Sequence, residues 1–187
     1  MPAAVRWSCR PITPTGRWWA GWTRGRRGWR WVPDAGATRA SLPEAPTPQG
    51  RYVPVTVWQG LACSAGMTPR VAGVLVEQGV VGRDITTRRA AELAAIAARN
   101  ALAAIASAVG GVENVTRCLQ LTVFVAAAPG FADHTAVADG ASAALSAALG
   151  DQGVAARAAV GVASLPGGAP VEVTVLAAVD AVGPGSG

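Results

Sequence analysis

The chain has 187 residues, room for one domain with extensions, and 51% of them are apolar, so a substantial core can be buried. Its net charge of +5 is confined to one end: residues 1–40 hold eight Arg against one Asp (+7), while residues 41–187 hold eight Arg against ten acids (−2). That balance disfavours a polyanion partner for the main body, and one His with three scattered Cys makes neither a metal cluster nor a disulfide framework.

Residues 1–40 read as a separate segment. Six of the seven Trp lie there among Arg, Gly and Pro, with no helical or strand period. Such a mixture suits single-stranded nucleic acid, through phosphate contact and base stacking. It also suits an anionic membrane surface. The composition is foreign to the rest of the chain, and a disordered extension is the expectation adopted. No continuous apolar h-region marks it as a secretory signal. Ser41 to Gly50, with Pro43, Pro46 and Pro48, predicts an extended lead-in to a domain over 41–182. Residues 183–187 read as a flexible tail.

Tyr52–Trp58 and Leu61–Ala65 predict short strands around a Gln59-Gly60 turn. Gly66–Arg70 reads as a turn, and Val74–Val81 as a short strand or arm closed by Gly82. A helix is predicted from Thr86 or Thr87 to about Val109, with a stripe at Leu93, Ile96, Ile105 and Val109, ended by Gly110-Gly111. Its Glu92, Arg99 and Asn100 argue against a membrane span. Val115–Val125 predicts a buried strand in which Leu119, Leu121, Val123 and Val125 share one face. Phe131–Leu149 predicts a second Ala-rich helix stopped by Gly150. Ala155–Val162 and Val171–Val179 predict two last strands joined by the loop Ser164–Pro170. The pattern is α+β, a mixed sheet with two helices on one face. Nothing in the sequence covers the other face, so a second subunit is expected there.

Arg157 stands alone in the apolar run Gly153–Ala163, and no other Arg or Lys follows Arg117. A charge in such a run requires a partner. One reading is a structural ion pair with Asp151 or Glu172. The other is a guanidinium facing a cleft, where its planar fork suits a carboxylate-bearing ligand. If the last two strands form a hairpin centred near Pro166-Gly167, Glu172 lies opposite Gly161, four residues from Arg157. Both side chains then point to one face, about 13 Å apart along the strand. A cation to anchor a carboxylate and an acid to orient or deprotonate water suit hydrolysis of an activated substrate such as an imine. Neither G-x-x-x-x-G-K-[ST] nor G-x-G-x-x-G occurs, and no cofactor is expected.

Residues 42–180 resemble the reactive-intermediate deaminase family (RidA, also called YjgF-like). Gly50-Arg-Tyr52 is similar to that family's Gly-Pro-Tyr lead-in, and Ala65-Gly66-Met-Thr-Pro69 to its Ser-Gly-x-x-Pro turn. Leu121–Val125 with Phe131-Ala132 resembles its central strand and second helix. Ala156–Val160, Leu165-Pro166 and Val171-Glu172-Val173 resemble its C-terminal signature. The resemblance implies a chorismate-mutase-like, YjgF-like homotrimer with ligand clefts between subunits. It implies that Arg157 holds the substrate carboxylate and that Glu172 positions the attacking water. Gly66 and the Ala159 backbone would line the cleft, and Tyr52 would close it. The implied reaction is hydrolytic deamination of 2-aminoacrylate-like 2-imino acids to 2-keto acids and ammonia, without a cofactor; the scattered cysteines, read as reduced thiols, predict a cytoplasmic protein. Arg51, Ala65 and Ala159 depart from the family pattern and mark a divergent subgroup. A non-catalytic, metabolite-binding trimer using the same cleft is the alternative. Nucleic acid and membrane partners are not expected.

Overall fold

The computed structural model describes residues 22–25, 28–31, 42–48 and 50–180. Residues 1–37 and residues 38–187 form two compact units. In the first unit, strands β1 (Trp22–Gly25) and β2 (Gly28–Trp31) pair antiparallel, with Trp22 opposite Trp31 and Arg24 opposite Trp29. The strand-free reading of this stretch therefore gives way at these residues, where Trp and Thr are strand formers on a paired ribbon. The extension's other residues and the tail 183–187 lie outside the described residues, and the expected disorder lies there with them.

The second unit is an α+β domain. Its five-stranded sheet has the order β3 (Val55–Trp58), β4 (Leu61–Ser64), β9 (Val171–Val179), β7 (Val115–Ala126), β8 (Ala156–Val162). All neighbours are antiparallel except β7 and β8, which are parallel. Helices α1 (Thr87–Ala108) and α2 (His134–Leu149) pack on one face, α1 over β9 and β4, α2 over β7 and β8. The core lies between these layers: Leu93, Leu102 and Ile105 from α1, Val137 and Leu145 from α2, and Leu121, Val123, Val171, Val173 and Val175 from the sheet are all fully buried.

Local chemistry explains the boundaries. The β3–β4 turn has positive φ at Gln59 and Gly60, the two-residue geometry that twists with a hairpin and favours Gly at its second position. Strands β5 (Arg70–Val71) and β6 (Val74–Leu75) repeat it at Ala72 and Gly73. The arm predicted to run on to Val81 stops at Leu75, and Val81 instead bridges to the end of β7, its N–H donating to Ala126 O. Thr86 caps α1, its Oγ accepting from Arg89 N at 3.2 Å. By composition α1 is apolar enough to cross a bilayer, with a mean hydropathy of 1.2, but 67% of that window is buried within the domain, so it is a core helix. Helix α2 begins at His134, three residues later than expected, and ends at Leu149 as predicted.

Two predicted registers are corrected. Leu119 is exposed rather than on the buried face, because a bulge against β9 between Cys118 and Gln120 reverses the alternation, and Cys118 takes the buried position. Strands β8 and β9 do not form a hairpin, since β7 lies between them and pairs with both.

Candidate functional site at the edge strand

That insertion decides the geometry of Arg157 and Glu172. Through β7, Arg157 is level with Leu121 and Val175, whereas Glu172 is level with Phe124 and Val160. Gly161 is level with Val171, not with Glu172 as the hairpin predicted. A shift of one residue moves a side chain to the other face of a sheet. Arg157 therefore lies on the helix-bearing face and Glu172 on the open face, so the expectation that both point to one face is overturned. The warning sign was present in the sequence: strand, helix, strand within residues 115–162 is a βαβ unit, whose strands run parallel and cannot be joined as a hairpin.

On the helix side, Arg157 meets α2. Its Nη1 donates to Asp139 Oδ1 at 2.8 Å and to Ser142 Oγ at 2.9 Å. The ion-pair partner is thus Asp139, not Asp151 or Glu172. The Arg157 side chain is 21% exposed and that of Asp139 is 64% exposed, so the cation sits deeper than the anion. Both contacts fall on one nitrogen. Nε and Nη2, the edge that grips a carboxylate with two parallel bonds, have no partner among the described residues. Two and four residues further along β8, Ala159 and Gly161 share this face. His134 stands over Gly161: a Cβ built there would lie 2.5 Å from His134 Nε2. The imidazole also meets Phe131 edge-on, with ring centroids 5.2 Å apart. Asp139, Ser142 and His134 were not singled out as site residues from the sequence; only the parallel pairing of β7 and β8 lays α2 beside β8.

On the open face, Glu172 is half-buried and makes no hydrogen bond or ion pair among the described residues. Burial pushes its carboxyl above the usual glutamate range. Gly66 is beside it: a Cβ at position 66 would collide with the Glu172 carboxylate. The sheet builds this contact. β4 parts from β9 at Ser64, whose Oγ accepts from Val175 N at 3.0 Å, and the chain rejoins β9 where Met67 and Val173 exchange backbone hydrogen bonds. Pro54 O accepts from Ala65 N at 2.8 Å, which keeps the lead-in carrying Tyr52 at this end of β4. The Tyr52 side chain is exposed. One chain therefore brings Gly66 to Glu172 and places Arg157 with Ala159, but it holds the two groups on opposite faces.

The endoribonuclease L-PSP family profile matches residues 42–179. The chain belongs to this family, the YjgF/RidA family. It is 35% identical to protein TCP17 of Trypanosoma cruzi over 143 residues, spanning 72% of this chain and 85% of the relative. Among solved structures it is similar to Atu1372 of Agrobacterium tumefaciens, a protein of unknown function, at 37% identity and a TM-score of 0.69, covering 72% of this chain and 86% of the other. It shares the fold of the YjgF gene product of E. coli at 23% identity and a TM-score of 0.52, covering 72% and 93% of the two chains.

Proposed function

We propose that this chain is a cytoplasmic, cofactor-independent homotrimer that hydrolyses reactive enamine and imine intermediates, 2-aminoacrylate-like 2-imino acids, to 2-keto acids and ammonia. The observation that carries this reading is Arg157, which among the described residues is fixed on an edge strand through Nη1 alone, with its Nε–Nη2 edge open. That edge suits the substrate's carboxylate. Glu172 supplies the acid–base group, since a carboxyl raised by burial exchanges protons closer to neutral pH than a solvated one. Water adds to C2 of the protonated imine while Glu172 takes its proton. The nitrogen of the resulting carbinolamine is then protonated, the C2–N bond breaks, and the hydroxyl loses its proton to leave the keto acid and ammonia. Gly66 and the Ala159 backbone line the cleft and Tyr52 closes it.

The opposite placement of Arg157 and Glu172 supports a site shared between copies, in which Arg157 of one subunit faces Glu172 of its neighbour. The helix-free sheet face supports the same assembly: Trp58 is 71% exposed there beside exposed Leu61, and Val160 is exposed at the far edge of that face. RNA cleavage, the activity in the family's name, is disfavoured by the −2 balance of residues 41–187.

The test is a coupled reaction in which threonine dehydratase or an L-amino-acid oxidase generates imines. The protein is expected to speed keto-acid and ammonia release, and Arg157→Ala to abolish that gain while the oligomer persists. Unchanged imine lifetimes across several amino acids would sink the reading. A non-catalytic, metabolite-binding trimer is the second reading, favoured by the contacts Arg157 already has with Asp139 and Ser142. Thermal stabilisation by keto acids without turnover would select it.

A further inference from the structure

We propose that Asp139 makes the Arg157 site selective for ligands with a single carboxylate and against those with a second one nearby. The inference rests on Arg157 being the carboxylate anchor.

Charge counting on the named elements carries it. Arg157 is the only Arg or Lys after Arg117, so α2, β8 and β9 offer no second one. Its charge is already shared with Asp139 at 2.8 Å. A carboxylate gripped by Nε and Nη2 lies across the width of one guanidinium from the Asp139 carboxylate. On this chain the local sum is then one cation against two anions, before the neighbour's Glu172 is counted, held together by charge-assisted hydrogen bonds. A second ligand carboxylate raises this to three anions. It meets Asp139 at the mouth, where the acid is 64% exposed and Arg157 only 21%. Along β8 from Arg157 the floor is Ala159 and then Gly161, with the His134 ring seated on it. Ser142 fixes Nη1 from the same helix at 2.9 Å, so Arg157 is held toward Asp139. At protein-surface dielectrics, an added like charge within such a span weakens binding roughly tenfold.

Binding of 2-oxobutanoate and 2-oxoglutarate to the full-length protein, by titration calorimetry, tests this without requiring turnover. The wild type is expected to prefer the monocarboxylate roughly tenfold. Asp139→Asn is expected to bring the ratio close to one, and Asp139→Glu to keep it. Position 139 is exposed enough for both variants to fold, which circular dichroism checks. A ratio unmoved by Asp139→Asn, a wild type that prefers 2-oxoglutarate, or equal loss of both ligands in Asp139→Asn overturns the inference; the last assigns Asp139 to holding Arg157 instead. Imine turnover measured alongside separates the two proposals. No deamination with a shifting ratio removes the deaminase reading and leaves the charge filter, and deamination with a fixed ratio does the reverse. Binding of neither keto acid overturns the filter and its anchor together.

Discussion

Glu172 is a half-buried carboxyl with no partner among the described residues, and the folded chain holds its proton more tightly than the unfolded chain does. Its effect on stability therefore has a definite sign. The native state is favoured most below the ordinary glutamate value of 4.5, and stability falls as pH rises through the raised value. Glu172→Gln is expected to raise Tm at pH 7 and to lose that advantage below pH 4.5 in a pH series of melts. The same substitution is expected to abolish deamination, a stability gain at the expense of function that a purely structural acid would not give. Gly66→Ala has the converse logic. Its Cβ would collide with a movable carboxylate, so turnover should fall while the melt changes little. Burial pushes the Cys118 thiol up to about 11, and Cys63 is exposed. Thiol reagents are expected to label Cys63 before Cys118 in the native state, read by peptide mass mapping.

Among the elements, the two helices pack closely on each other. Gly140 faces α1, where a Cβ would run into the backbone of Ala91. In an isolated helix, Gly to Ala stabilises by about 1 kcal/mol. Here Gly140→Ala is expected to cost about 1–3 kcal/mol in denaturant unfolding, because the helices must separate. Existence and type of the main elements were legible in the sequence: α1 is ended by Gly110, the Gln59-Gly60 turn is present, and β9 alternates from Val171 to Val179 as its apolar pattern implies. The misplaced Leu119 was not legible, since a bulge leaves no mark in apolar periodicity. Nor was the partner of Arg157. Asp139 and Arg157 are 18 residues apart, and only the return of β8 parallel to β7 brings them together.

As a whole, the second unit leaves the helix-free face of its sheet exposed, with Trp58, Leu61 and Val160 on it. If copies assemble through this face, Trp58→Asp should lower the mass seen by light scattering and reduce turnover with it, because Arg157 and Glu172 would no longer meet. A mass and activity like those of the wild type would place the interface elsewhere.

The family was legible from its motif resemblance, and composition and pattern by themselves determined an α+β domain and Arg157 as an isolated charge in an apolar strand. These follow from local periodicity and turn chemistry, which neighbouring residues specify. Tertiary structure alone decided which faces the chemical groups occupy. Strand order and register are set by packing among distant segments, and in a sheet one residue of register separates the two faces. The placement of β7 between β8 and β9 thus put Arg157 with Asp139 on one face and Glu172 with Gly66 on the other.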